Sequence, residues 1–283
     1  MGHEHHHEVE GKNLFFTILL NAGISLAELI GGIISGSISL ISDAIHNFSD
    51  VLSLVISYIA NKLAKREATE KHTFGFRRSE IIAAFLNSAT LIVLAFYILY
   101  EAVQRFINPI EISSNLVIWL ALGSIVVNGL SVLFIKKDAE GNMNMKSAYL
   151  HLFGDMMTSI AVLIGGILMK YFQIYWIDPV FSILIALYLL YLSWDIFKSS
   201  LKIIMQFTPD NIDVKAIAKD ISNIDEVKNI HHIHIWQIDE HDIMFEAHID
   251  LNDDIKITEF EEVLESIKNY LHEKYEIHHV TIQ

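Results

Sequence analysis

Six long apolar segments, separated by short polar connections, occupy most of the chain. An α-helix needs about 20 apolar residues to cross a bilayer, so each segment is long enough to be a transmembrane helix. The pattern predicts an all-α membrane domain of six transmembrane helices over residues 14–205, preceded by a polar segment at 1–13. The six segments cover residues 14–36, 39–61, 80–106, 115–135, 147–171 and 178–200.

The pattern changes after residue 205. Two stretches there have the spacing of amphipathic helices, and three alternate apolar and polar residues as strands do. Their order, α-β-β-α-β, predicts a small two-layer α+β domain over residues 206–283. The predicted elements are a helix at 213–223, strands at 227–239 and 243–251, a helix at 258–274 and a strand at 277–283.

Basic residues cluster in the connections after the second, fourth and sixth apolar segments. Cytoplasmic loops carry an excess of Lys and Arg, so this side of the membrane is predicted to be the cytoplasm. An even number of spans then places both termini there. The residues concerned are Lys62, Lys65, Arg66, Lys71, Arg77, Arg78, Lys136, Lys137, Lys146, Lys198 and Lys202.

Composition narrows the class of protein further. Of the 283 residues, 52% are hydrophobic, which favours a multi-pass membrane protein over a soluble enzyme. Cysteine is absent, so any metal site must use His, Asp, Glu or backbone oxygen. Residues 206–283 hold 6 Lys+Arg against 18 Asp+Glu, and such an acidic surface attracts cations and repels nucleic acid.

Two of the apolar segments share a pattern of titratable residues. His46 and Asp50 lie four residues apart in the second segment, and His151 and Asp155 repeat that spacing in the fifth. Residues four apart lie on one face of a helix, so two such helices packed together bring two imidazoles and two carboxylates to one place. Four nitrogen and oxygen ligands suit a tetrahedral divalent ion, zinc above all.

A single His-x-x-x-Asp pattern carries little information, because a buried pair also arises from ordinary packing. Two copies in separate membrane segments favour the metal site over packing. For single polar residues such as Glu28 and Asn128, a hydrogen bond between helices is the predicted role. Asp43 either lies near the outer mouth of the site or starts its helix.

Several motifs together resemble the cation diffusion facilitator family of zinc exporters. They are SLISDAIHNFSD, FGFRRSE, YLHLFGD, IDP and HIHIW followed by HVTIQ, in this order along nearly the whole chain. The resemblance implies a homodimer in a bacterial inner membrane, with a ferredoxin-like, copper-chaperone-like cytoplasmic domain. It also implies exchange of cytoplasmic Zn²⁺, and of Cd²⁺ or Co²⁺ in some members, for protons.

The same resemblance assigns the transport site to His46, Asp50, His151 and Asp155. In the cytoplasmic domain it assigns metal ligands to His231 and His248, with His234 and His279 as further candidates. Gln283 stands where some members have a final His ligand, which argues against a full binuclear site. Strand alternation predicts His232 and His234 on one face, with His231 on the other.

Three rival functions compete with that of a secondary transporter. A membrane metalloenzyme needs an open coordination position and a general base, whereas four ligands close this site, so an enzyme is not predicted. A zinc sensor would use the acidic domain as its switch, but six spans with a buried site argue against it. A passive zinc channel would give flux that does not respond to a pH gradient.

The segment HEHHHEVE near the start of the chain is rich in histidine. It resembles the His-rich cytoplasmic tails common in the cation diffusion facilitator family, and such a tail could gather zinc loosely near the entrance of the transporter. An expression tag also contains consecutive histidines, but Glu4 interrupts the run here. The native tail is therefore the favoured interpretation.

Overall fold

The computed structural model describes residues 4–135, 143–239 and 242–283. Side chains are described from residue 19 onward, except at 54, 57, 58 and 134–151 within helices. These residues form two compact units, Met1–Ile56 with Asn87–Asp195 and Ser57–Leu86 with Ile196–Gln283.

Six long helices stand where the six apolar segments are predicted. They are α1 (Glu4–Ser35), α2 (Ile38–Ala64), α3 (Ser79–Ile107), α4 (Ser114–Ile135), α5 (Met143–Phe172) and α6 (Ile177–Ile204). The described part of the chain contains four helices that are long and apolar enough to cross a membrane, at Ser79–Ile107, Ser114–Leu133, Leu152–Phe172 and Ile177–Ile204. The described apolar part of α1, Leu19–Ser35, is shorter. The helical membrane fold is thus confirmed. Whether the chain has six spans depends on α1 and α2, which are not among these four helices.

Large apolar side chains on these helices face outward. Val93 is 68%, Trp119 73% and Tyr191 75% exposed, which is the expected arrangement for helices whose outer surface contacts lipid. Between these helices lies a buried apolar cluster that includes Leu40, Ala95, Val117 and Val162. α4 packs against both α1 and α5.

A buried carboxylate fixes the start of α2. Asp178, in the first turn of α6, is 1% exposed and accepts hydrogen bonds from the hydroxyls of Ser37 and Ser39. The backbone N–H of Ile38 also donates to it, at 2.8 Å. An anion at a helix N-terminus satisfies N–H groups that have no partner within the helix and interacts favourably with the helix dipole. Asp178 therefore ties α2 to α6.

The C-terminal part forms the predicted α-β-β-α-β arrangement. Its elements are α7 (Val214–Ile221), β1 (Val227–Gln237), β2 (Ile243–Leu251), α8 (Ile257–Tyr275) and β3 (His279–Ile282). β1 pairs antiparallel with β2, and β2 pairs parallel with β3. Both helices share one apolar core with the sheet, which includes Ile217, Phe245, Ile267, Leu271 and Ile277.

A polar contact links the two helices of this domain. Lys274 donates to the carboxylate of Asp220 at 2.7 Å, and the hydroxyl of Tyr270 donates to the same group. These hydrogen bonds hold the pKa of Asp220 below its usual range. Burial and the Asp220 carboxylate raise the pKa of Tyr270 to about 12. The contact fixes α7 against α8 beside the shared core.

Candidate metal centre

Helices α2 and α5 bring three of the four predicted ligands together. His46 and Asp50 lie one turn apart on α2, and Asp155 faces them from α5. One potential ligand atom from each lies within 4.8 Å of the others. His151 lies on α5 four residues before Asp155, the spacing that the metal site requires, but its side chain is outside the described set.

The imidazole of His46 lies near a carboxylate through each of its nitrogens. His46 Nε2 is 3.5 Å from Asp155 Oδ1, and His46 Nδ1 is 3.5 Å from Asp50 Oδ2. Two ligand atoms each about 2.0–2.1 Å from a tetrahedral zinc ion lie about 3.3–3.4 Å apart. An imidazole binds an ion through one of its nitrogens, so only one of these two contacts can border a given ion. With one potential ligand atom from each side chain, all three lie within 4.8 Å of one another.

Burial differs among the three groups. The residues His46 and Asp155 are 3% and 4% exposed, while the Asp50 side chain is 28% exposed. Carboxylates and an imidazole in an apolar interior carry a large desolvation cost, which a bound divalent ion offsets. Asp50 is thus the partly exposed member of the cluster.

Hydroxyl groups hold α2 and α5 together beside the cluster. Thr158 and Ser159 follow Asp155 on α5 and approach the two carboxylate oxygens of Asp43 on α2, at 2.7 and 3.0 Å. From α6, the Tyr188 ring meets the His46 ring edge-on, with 6.1 Å between centroids. These contacts restrict the relative movement of the ligand-bearing helices and the orientation of the imidazole.

A second cluster of histidines lies on the sheet of the C-terminal domain. Potential ligand atoms of His231, His232 and His248 lie within 4.8 Å of one another. His231 pairs directly with His248 across β1 and β2, and Asp250 Oδ2 is 3.7 Å from His231 Nδ1. The backbone N–H of Gln283 donates to the carbonyl of Ala247, and the N–H of Ile249 donates to the carbonyl of Gln283, so Gln283 lies beside His248.

The sequence-based expectation that side chains alternate between the two faces of β1 is wrong between His231 and His234. The register shifts between His231 and His234, and His232 has a φ of +52° in the left-handed region. Such a bulge places two residues against one on the neighbouring strand, so His231 and His232 both meet His248. Sequence reasoning misses His232 as a candidate, because strict alternation places it on the opposite face.

The other two predicted histidines lie elsewhere in the sheet. His234 pairs with Glu246, and lines a groove of about 350 Å³ with Gln206 and Trp236. His279 begins β3 and pairs with Met244. Neither belongs to the described cluster of three, and a metal-binding role for them stays a prediction.

Comparison with known proteins covers the whole chain. Residues 14–205 match the model of the cation efflux transmembrane domain, and residues 209–283 match that of the cation efflux cytoplasmic domain, ZT_dimer. The chain is 37% identical over its full length to a "Cadmium, cobalt and zinc/H(+)-K(+) antiporter" of Bacillus subtilis, covering 91% of that protein. It is 34% identical to "Zinc transporter ZitB" of Pectobacterium atrosepticum and 35% identical to "Metal cation efflux system protein CzcD" of Cupriavidus metallidurans, again over its full length, covering 88% and 90% of them.

Proposed function

Because the chain belongs to the cation efflux family of divalent-metal membrane transporters, we propose that it exports Zn²⁺ from the cytoplasm in exchange for protons. Four residues form the proposed transport site, His46, Asp50, His151 and Asp155. The convergence of His46, Asp50 and Asp155 within 4.8 Å carries this proposal. A relative named for cadmium, cobalt and zinc supports Cd²⁺ and Co²⁺ as further substrates.

Two imidazoles and two carboxylates favour zinc among these ions. Zinc accepts nitrogen and oxygen ligands in tetrahedral geometry and has no redox chemistry of its own. A site closed by four protein ligands leaves no coordination position for a reactive water, so it fits a transported ion better than a catalytic one. In this proposal zinc is the substrate of the protein, and the same donor set accepts cobalt and cadmium with altered distances.

Proton coupling follows from the ligand chemistry. Metal binding needs a neutral imidazole and ionised carboxylates, so protons and zinc compete for the same groups. When the site faces outward, protons displace zinc. The protonated histidines then carry protons to the cytoplasmic side as the transporter returns to its inward-facing state. A proton gradient then drives export. The name of the Bacillus subtilis relative supports H⁺ and K⁺ as counter-ions.

We propose a homodimer of this chain in a bacterial inner membrane, with both termini in the cytoplasm. The match of residues 209–283 to a cytoplasmic dimerisation domain supports both the side and the dimer. The proposed boundaries are a His-rich tail at 1–13, the membrane domain at 14–205 and the cytoplasmic domain at 206–283. In the structure α1 already begins at Glu4, inside this tail.

A direct test of the proposed function is zinc uptake into inside-out proteoliposomes. A vesicle interior more acidic than the bath should drive zinc accumulation, and collapsing the gradient with a protonophore should stop it. A passive channel would give flux that does not respond to the gradient. A sensor would give no flux above protein-free vesicles.

We further propose that the cluster of His231, His232 and His248 binds zinc in the cytoplasmic domain. His248→Ala in the full-length protein should lower bound zinc by about one ion per subunit, since it removes the residue that both neighbours face. The measurement is metal content after equilibrium dialysis. His234→Ala is the matched control on the same sheet and should keep the wild-type metal content. Loss of bound zinc in His234→Ala, with wild-type metal content in His248→Ala, would place the site at His234 instead.

A further inference from the structure

His272 and His278 form a pair in the C-terminal domain that neither of the proposed metal sites uses. The Nδ1 atoms of the two rings are 3.1 Å apart, and the ring centroids are 4.9 Å apart. Both residues are exposed. This distance fits a hydrogen bond in which one ring donates an N–H to the other. It also fits two ligands of a single metal ion, and the surroundings of the pair bear on which role applies.

The backbone holds the two rings close together. α8 is followed by Glu276, which has a left-handed conformation with a φ of +56°. The N–H of Glu276 donates to the carbonyl of His272, so the chain turns back beside the last turn of the helix. Ile277 is 1% exposed and belongs to the apolar core, and β3 begins two residues after it. His278 is therefore held between a buried residue and a strand.

The spacing of the two histidines along the chain is one that zinc sites use. Five residues separate His272 from His278. Two histidines with three to five residues between them typically supply half of the ligands in Cys₂His₂ zinc sites. Because this chain has no cysteine, oxygen atoms must supply the remaining ligands.

The separation of the two nitrogens fits one ion between the rings. Zn–N bonds are about 2.0–2.1 Å long, so nitrogens 3.1 Å apart would subtend an angle of about 100° at the ion, close to the tetrahedral angle. Each ring contributes one nitrogen to this geometry. The ring that donates its Nδ1–H must move that proton to Nε2, and exchange with water allows this because both residues are exposed.

The surroundings of the pair leave room for an ion. His272 and His278 line an open groove of about 390 Å³ with Asn269 and Lys268, and Lys268 is the one formal charge among the described residues that line it. The pair also lies at the C-terminal end of α8, where the helix dipole is negative and favours a cation. The acidic surplus of residues 206–283 acts in the same direction.

This pair is separate from the three-histidine cluster that contains His248. β3 runs parallel to β2, in a register that sets His279 against Met244. Met244 lies four residues before His248 on β2, which is roughly 13 Å along the strand. Because His278 precedes His279, it lies at the end of β3 that is farther from His248. The two groups of histidines therefore cannot share one ion.

We propose that His272 and His278 form a further metal site, which binds one Zn²⁺ through the two Nδ1 atoms and completes its coordination with water. Imidazole nitrogen suits zinc, and the pair offers no ligand that selects a harder ion such as Mg²⁺ or Ca²⁺. The ion replaces the hydrogen bond and links the end of α8 to the start of β3. With two protein ligands, the site binds zinc more weakly than a site with three or four. It goes beyond the proposed transport and does not depend on it.

Equilibrium dialysis of the full-length protein against Zn²⁺ tests this site. Metal-free protein in detergent, purified through a tag that contains no histidine, is dialysed over a range of free zinc, and bound zinc is counted per subunit. His272→Ala and His278→Ala should each bind about one ion fewer than wild type, and the double variant should lose the same single ion. His234→Ala, an exposed histidine on the same sheet, is the matched control and should keep the wild-type count.

A His248→Ala background separates this site from the three-histidine cluster. Sites this far apart should act independently, so His278→Ala should remove one ion in this background as it does in wild type. Loss of an ion from His278→Ala in wild type but not in the His248→Ala background would mean that both residues serve one site. That result would overturn the proposal.

A chemical measurement on the wild-type protein covers the case in which an alanine variant does not fold. Diethyl pyrocarbonate modifies imidazole nitrogens that are free of metal, so zinc should slow the modification of His272 and His278, and a chelator should restore it. Trypsin cleaves after Lys268 and Lys274, which places the two histidines in separate peptides for mass spectrometry. Equal modification of both with and without zinc would overturn the proposal.

The remaining outcomes of the dialysis also decide the question. Wild-type zinc content in folded His272→Ala and His278→Ala proteins would show that the two rings only bond to each other. Loss of two ions in the double variant would show that each histidine serves a different ion, and the shared site would be wrong. None of these measurements uses zinc transport, so a failure of the proposed antiport would leave this test unaffected.

Discussion

Asp155→Ala should abolish zinc transport while the protein still inserts and folds. Asp155 is the buried carboxylate of the proposed site, 3.5 Å from His46 Nε2 and on the opposite helix from His46 and Asp50. Without it, α5 keeps only His151 as a proposed ligand. Loss of groups that merely orient a ligand costs roughly 10- to 100-fold in metal affinity, so loss of a ligand itself should cost at least that.

The measurement is net ⁶⁵Zn uptake into proteoliposomes, together with zinc affinity of the protein in detergent. Asp195→Ala is the matched control, because Asp195 is an exposed carboxylate on α6 outside the site. A normal thermal unfolding midpoint for Asp155→Ala would show that the fold is kept. Transport near the wild-type rate in a folded Asp155→Ala protein would show that the cluster is not the transport site.

Asp178→Ala should strongly destabilise the membrane domain. It removes the acceptor for two buried hydroxyls and for the N–H of Ile38, and it leaves the buried Ser37 and Ser39 without that partner. A hydrogen bond to a charged group contributes about 1.5–3 kcal/mol, so losing several should cost roughly 3 kcal/mol or more. Because the start of α2 is then free to shift, His46 and Asp50 also lose their positions.

Thermal unfolding in detergent, followed by the loss of monodisperse protein on size exclusion, measures this effect. Asp178→Asn keeps an oxygen for the Ile38 N–H and should lie between wild type and Asp178→Ala. Asp195→Ala, on the same helix, should unfold at the wild-type temperature. Equal stability of Asp178→Ala and Asp195→Ala would mean that Asp178 does not anchor α2.

Much of this architecture can be predicted from periodicity. The apolar segments predict the long helices, because a membrane interior allows few alternatives to a helix. Strand alternation and helical spacing predict the order of the C-terminal elements. The three described members of the proposed site come together because residues four apart share a helix face, so the spacing of His46 and Asp50 already implies a common partner.

Other features depend on contacts that periodicity does not contain. The bulge at His232 reverses the face of a single residue, and nothing in the alternation of β1 marks it. The surroundings of Glu28 depend on the side chains that α2 and α4 present to it, Asn47 and Ser124 among them. Asp178 belongs to the IDP motif, but its role requires α6 and the α1–α2 turn to meet in space.

The central claim is that the segment SDAIHNFSD contributes His46 and Asp50 to a proton-coupled zinc site. The measurement that tests it most directly is zinc uptake into inside-out vesicles, with and without an imposed pH gradient, for wild type and Asp50→Ala. We predict gradient-driven uptake by wild type and none above background by Asp50→Ala. Uptake that depends neither on the gradient nor on Asp50 would contradict the assignment.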